Sequence, residues 1–182
     1  SLETAGNGHA AMVWVDDRNP DLDIYGQRIS ADHTNNTIST LWSTVEDGGR
    51  VICDSEGEQN KAKITYAVGC CGDDMGITAV TWQDQRRGTA WTIYMQYLYL
   101  NGDPYFDSLG LLLTDSQSNE KEPRVKADNS GAYIVWYQDN DIYGQKIIFS
   151  QDDPIQWEDN GRAISFEDTD QVTQSQVRLS TD

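Results

Sequence analysis

Apolar and polar residues alternate in short bursts along this chain, and no long segment carries apolar residues at the three-and-four spacing of an amphipathic helix. In Asp23-Ile24-Tyr25-Gly26-Gln27-Arg28-Ile29, Ile, Gly and Arg alternate with Tyr, Gln and Ile. Period two places the two sets on opposite faces of a strand. The expected fold class is all-β.

The alternation recurs with the same residues in it. Met12–Ser30, Ala79–Tyr99 and Tyr133–Ile148 each hold an apolar run, a Trp, a polar turn and then Ile-Tyr-x-Gln. Trp14, Trp82 and Trp136 correspond, as do Tyr25, Tyr94 and Tyr143, and Gln27, Gln96 and Gln145. Trp14 to Trp82 is 68 positions and Trp82 to Trp136 is 54, room for one four-stranded sheet per repeat. The step from Trp to Ile varies (10, 11 and 6 residues), as a hairpin tip tolerates, since length there costs little and leaves register alone.

Outer strands are expected at Lys61–Ala67 and Pro123–Ala127 upstream of the second and third motifs, and at Leu109–Leu113 and Arg162–Phe166 downstream. The first motif has no such segment before it, whereas Gln176–Ser180 (QVRLS) resembles PRVKA and has no motif after it. The reading is therefore a single β-propeller-like repeat domain over 1–182: blade 1 at about 9–50 with a C-terminal strand at 176–180, blade 2 at about 60–115, and blade 3 at about 121–168. Each blade is a four-stranded antiparallel sheet. Propellers usually close with four to eight blades. Three blades thus suggest part of a longer protein, half of a six-bladed ring, or an open assembly through exchange of blade-edge strands.

The motif W-x-D-x-R-x-G-x-x-D-I-Y-x-Q-R-I, carried by Trp14–Ile29, Trp82–Leu98 and Trp136–Ile147, resembles repeats of secreted and cell-surface bacterial and archaeal propellers of the TolB-like and surface-layer type. The second repeat departs from it at Thr92, and the third lacks the Arg-x-Gly turn. The resemblance implies an architecture and a location outside the cell, at its surface or in the periplasm. Modules of that kind often stand beside adhesion or carbohydrate-related domains.

Composition sharpens this. Six Trp and nine Tyr argue for a packed core rather than disorder. Thirteen basic against thirty acidic residues give a formal charge of −17, which repels nucleic acid and anionic membranes and suits a soluble exported protein that meets divalent cations. No stretch approaches the ~20 apolar residues of a membrane span, so membrane insertion is not expected. The opening at Ser1, without a basic-then-apolar leader, is expected to be that of a processed product or fragment. Of the three cysteines, Cys53 is expected to pair with Cys70 or Cys71 in an oxidising compartment; a vicinal Cys70–Cys71 bond and three free thiols are the alternatives.

Candidate chemistry is sparse. Asp17, Asn19, Asp21 and Asp23 alternate along one loop, the oxygen-rich pattern that calcium takes, although the EF-hand's Gly and terminal Glu are missing. The simpler reading is a polar hairpin turn. The repeated Trp and Tyr are expected to pack between sheets. Trp42, Trp91 and Trp157 lie outside the shared position, and Trp91, beside the second tip, is the candidate for ligand or glycan binding. Arg18, Arg86 and Arg87 are expected to pair with carboxylates at the turns. Asp16, Asp84 and Asp139 repeat as structure rather than as a glycosidase pair, which needs two acids facing one pocket. His9 and His33 make neither zinc site nor triad, and Asn35-Asn36-Thr37 fits a glycosylation acceptor. The function expected is a non-catalytic structural or interaction module whose partners are other protein chains, copies of itself included. A carbohydrate-binding or carbohydrate-processing propeller is the alternative.

Overall fold

Alternation becomes strand almost everywhere in the computed structural model of the chain, which describes residues 1–6, 8–67, 76–115 and 118–165. Among these residues there are thirteen strands and no helix, and all strand pairing is antiparallel. The strands form three sheets. The first runs β1 (Leu2–Thr4), β2 (His9–Asp16), β3 (Asp23–Asp32), β4 (Thr37–Thr40), with β5 (Arg50–Cys53) also on β3. The second runs β6 (Gln59–Ala67), β7 (Ile77–Asp84), β8 (Thr92–Leu98), β9 (Leu111–Leu112), and the third β10 (Lys121–Asp128), β11 (Gly131–Gln138), β12 (Asp141–Ile148), β13 (Arg162–Ser165).

Repeated residues share one register. Trp14 lies opposite Tyr25, Trp82 opposite Tyr94 and Trp136 opposite Tyr143, each on the two middle strands of its sheet. The first sheet differs from expectation in having an outer strand of its own, because β1 pairs Leu2–Thr4 with Ala10–Met12. The Ser1 amine extends the pairing by donating to the Val13 carbonyl at 2.8 Å. The segment 176–180 lies outside the described residues. The fourth position is also split in this sheet: β4 takes the far half of β3 and β5 the near half.

Two cores separate the three sheets. Ala11, Val13, Ile24, Trp42 and Ile52 of the first sheet meet Ile64, Val80, Trp82 and Leu98 of the second. The opposite face of the second sheet, with Ile77, Ala79, Ile93, Met95 and Tyr97, meets Val125, Ala132, Ile134, Trp136 and Ile147 of the third. The second sheet is thus buried on both sides, and every residue of β7 and β8 is buried. Fully burying one such aliphatic or aromatic side chain contributes roughly 1.5–3 kcal/mol.

Successive sheets are also tied through the backbone. Lys61 and Glu122, at equivalent positions, adopt left-handed φ values of 58° and 54° and mark bulges in β6 and β10. A bulge bends its strand. Two residues before each bulge the backbone bonds to the sheet before: Gln59 N–H donates to the Leu22 carbonyl (2.7 Å) and Glu120 N–H to the Trp91 carbonyl (3.0 Å). The initial strands of all three sheets lie close together, since Lys126 of β10 reaches Glu3 of β1 at 3.6 Å.

Candidate interaction surface

The repeated polar residues turn inward, onto the protein itself. Trp14 Nε1 donates to Asp16 Oδ2 (3.0 Å), and Trp82 Nε1 to Asp84 Oδ2 (2.9 Å). Arg18 and Arg86 close the same arrangement, each with Nη2 on the motif carboxylate at 2.6 Å. Each guanidinium lies over the motif Tyr, 4.0 Å from the Tyr25 ring centre and 3.9 Å from that of Tyr94. Arg18 then donates to the carbonyls of Asp47 and Gly48, and Arg86 to that of Leu109. The hydrogen bond from Arg18 holds the Asp16 carboxyl far below the usual carboxylate range. Burial is the largest influence on Arg86 and works against its charge, but the bond to Asp84 and the electrostatic interactions with Cys53, Asp84 and Tyr94 together outweigh it and raise the pKa.

In the third sheet this arrangement is reduced. The position of Asp16 and Asp84 is held by Gln138, not Asp139, and its Oε1 accepts the Trp136 indole N–H at 3.4 Å. The reason is the turn. Residues 17–22 and 85–91 bridge the first two hairpins, but only Asp139 and Asn140 bridge the third. Their φ values of 52° and 81° are the left-handed pair that a two-residue type I′ hairpin demands, and Asn and Asp tolerate it. The strand ends at the same position as in the other two sheets, and Asp139, one residue beyond it, is a turn residue that accepts the Ser118 hydroxyl at 2.7 Å.

The motif Gln is a clamp. Its Oε1 accepts the N–H of Trp42, Phe106 or Trp157, and its Nε2 donates to the carbonyl of the next residue, Ser43, Asp107 or Glu158. One buried amide thus fixes the connection to the last strand in every sheet. Trp42 and Trp157 therefore do share a repeated position, with Phe106 as its third member. Beyond the clamp, Gly49, Gly110 and Gly161, all at positive φ, lie against the indoles of Trp14, Trp82 and Trp136. A Cβ there would collide with the ring.

The candidate ligands of the sequence reading are placed as follows. Asp21 accepts the Gly57 N–H at 2.9 Å, and the Asn19 amide donates to Asp23, which is buried. Among the described residues no group of three or more His, Cys, Asp or Glu side chains converges in a metal-holding arrangement. Trp91 is half-buried in the connection before β8, its N–H on Asn119 Oδ1 at 3.1 Å. Cys53 is a buried free thiol with Sγ 2.9 Å from Arg86 Nη2, and burial raises its pKa; Cys70 and Cys71 lie outside the described residues. Arg87 pairs with Asp115 at 2.9 Å. His9 is on β2 and His33 in the β3–β4 turn, where Asn35 and Asn36 are exposed.

Among the described residues, a pair of sheet faces is left uncovered. On the third sheet, Tyr133, Tyr137, Ile142 and Trp157 are half-buried and Ile164 is 54% exposed. Tyr133 and Trp157 lie 6.2 Å apart, and Lys146 Nζ sits 3.8 Å from the Tyr133 ring centre. On the opposite side of the molecule, the first sheet leaves Leu2 66% and Val51 42% exposed, beside half-buried Met12, Trp14 and Ile29.

No helix among the described residues is long and apolar enough to cross a membrane. No protein-family model, curated protein or solved structure matches the chain.

Proposed function

We propose that this chain is a non-catalytic structural and interaction module, a fan of propeller-like blades acting outside the cell, at its surface or in the periplasm. The observation that carries the reading is where the repeated residues go. A ligand site built from repeats would present its acids and aromatics to one cavity. Here the motif Asp, Arg, Trp and Tyr of the first two sheets bond or pack against one another, and the motif Gln of every sheet bonds the backbone of its own sheet. Their repetition serves construction, and apolar sheet faces are left for recognition.

The propeller-like arrangement is supported by the Lys126–Glu3 contact at 3.6 Å. Sheets stacked flat lie about 10 Å apart, which would put the first and third about 20 Å from each other. Side chains of β1 and β10 that touch across that interval favour sheets that converge on their first strands, as blades do. The extracellular setting rests on the acidic composition and the repeat resemblance.

The competing reading is a carbohydrate-binding or carbohydrate-processing propeller. It draws on the Tyr133–Trp157 pair on the open third sheet and on half-buried Trp91. Affinity electrophoresis against a polysaccharide panel, together with chromogenic glycosides, separates the two. The interaction module shows neither retention nor hydrolysis. Retention that disappears in Trp91→Ala or Trp157→Ala, or any turnover, would replace the first reading with the second.

A further inference from the structure

Corresponding residues show that each sheet uses the same face to meet the next one. Val13, Ile24 and Ile52 of the first sheet correspond in register to Thr81, Ile93 and Leu113 of the second, and to Val135, Ile142 and Ile164 of the third. In the first two sheets this forward face is covered by the sheet that follows, and all six residues are at most 4% exposed. In the third sheet the face stays apolar and Val135 is buried, but Ile142 is half-buried and Ile164 is 54% exposed.

The rearward face shows the converse. Ile64, Val80, Trp82 and Leu98 of the second sheet are at most 5% exposed under the first sheet. Their counterparts in the first sheet are Leu2, Met12, Trp14 and Ile29, which are apolar too and lie open or half-open. Terminal units of a repeat array normally carry a polar outer face, because each unit otherwise offers a neighbour-binding surface. Among the described residues, neither the rearward face of the first sheet nor the forward face of the third is polar in that way.

A polar contact repeats with the apolar one. Arg28 Nη1 of the first sheet donates to the Leu100 carbonyl of the second at 3.2 Å, and Tyr97 Oη of the second to the Ile147 carbonyl of the third at 2.9 Å. Arg28 and Tyr97 occupy the same repeat position, and in the third sheet Lys146 occupies it. Lacking a following sheet among the described residues, Lys146 turns back to Ser130 Oγ at 2.6 Å.

We infer that the forward face of the third sheet receives the rearward face of the first sheet of a second copy of this chain. The contact repeats, between chains, the one that already joins the sheets within the chain. It is heterologous at the level of sheets, and a two-fold axis allows it to be made twice, closing six sheets from two chains into a ring without open faces. This rests on the blade arrangement proposed above and names its partner.

Light scattering over a range of concentrations tests it. The result expected is the mass of two 20.5 kDa chains. Ile164→Asp on one face and Leu2→Asp on the other each weaken association at least tenfold, as burying an unpaired charge in a contact should. Both positions are largely exposed within the chain, so near-ultraviolet circular dichroism stays that of the wild type. Mixing the two variants restores a two-chain species, because one intact pairing of third sheet with first sheet is available between them. A single-chain mass at every concentration, species that grow beyond two chains, or unweakened association in Ile164→Asp overturns the inference. Glycan retention or turnover would instead remove the interaction-module reading, whatever the mass.

Discussion

The second and third sheets place the same residues in the same register, yet one is braced by charge and covered on both faces while the other is neither. In the second, Asp84 is wholly buried and accepts from the Trp82 indole, the Arg86 backbone N–H and the Arg86 guanidinium. In the third, Gln138 accepts a single long bond from Trp136, and no arginine lies over Tyr143 among the described contacts. The seven-residue tip after Asp84 is tied to its sheet by this ion pair, whereas the two-residue type I′ turn of the third is held by its own backbone. Repeats can therefore keep a register while exchanging the device that secures it.

Breaking that device has the largest effect. Asp84→Ala removes the partner of a mostly buried Arg86 and of a fully buried indole. Loss of one member of a buried pair costs about 3–5 kcal/mol. Gln138→Ala removes one weak bond from a half-buried position, at a cost of about 1 kcal/mol or less. Urea denaturation of the two variants measures the gap. Equal losses would mean that the charged bracing of the second sheet adds nothing to its packing.

The clamp should instead behave alike in both sheets. Gln96→Ala and Gln145→Ala each strand a backbone N–H and a carbonyl at the connection to the last strand. Unsatisfied buried groups cost roughly 1–3 kcal/mol each. Thermal unfolding of the pair should give matching shifts, since the same bonds are lost. A much smaller loss for Gln145→Ala would show that the open sheet tolerates water where the covered one does not.

The all-β class and the three antiparallel sheets were legible because strands with period-two alternation also carried Trp, Tyr and Gln in the same order in each repeat. Lengths of outer strands were less so. β1 pairs over Leu2–Thr4 only, too short to stand out in a sequence, and β9 shrinks to Leu111–Leu112 inside the run Leu109–Leu113. Asp139 was aligned one residue late because a type I′ turn is recognised by backbone φ, which Asp-Asn only hints at. The shared position of Trp42, Phe106 and Trp157 escaped notice, since the link between them is the Gln clamp rather than spacing. The glycines at 49, 110 and 161 were the available signal: each precedes the last strand and leaves room for the motif indole. The open faces could not be read at all, as every sheet's apolar pattern looks the same until the neighbours are counted.

Acid provides a gentler probe of the same contrast. The first sheet carries Asp16, Asp32 and Asp47, whose pKa values are lowered mainly by hydrogen bonds from Arg18, Asn35 and Thr44. A carboxylate with a depressed folded pKa contributes stability that is present above its unfolded value, near 4. That contribution is lost as pH falls toward the folded pKa, because the unfolded chain takes up the proton first. Melting temperature should therefore drop below about pH 4, and Asp16→Asn should make the drop shallower. An unchanged slope in Asp16→Asn would remove the Arg18 pairing from the account.

The smallest effect is expected at the tips, where the first hairpin offers Asp17, Asn19, Asp21 and Asp23 and the third offers only Asp139 and Asn140. Calcium at the first tip would have to displace the Asn19 amide from Asp23 and the Gly57 N–H from Asp21. Those bonds already satisfy two of the oxygens that a hard cation would need. Melting with millimolar calcium and with chelator should then differ by no more than about 1 °C. A rise of several degrees that Asp21→Asn abolishes would reassign the loop from a hydrogen-bonded turn to a metal site. The first sheet would then be braced by an ion as well as by its arginine.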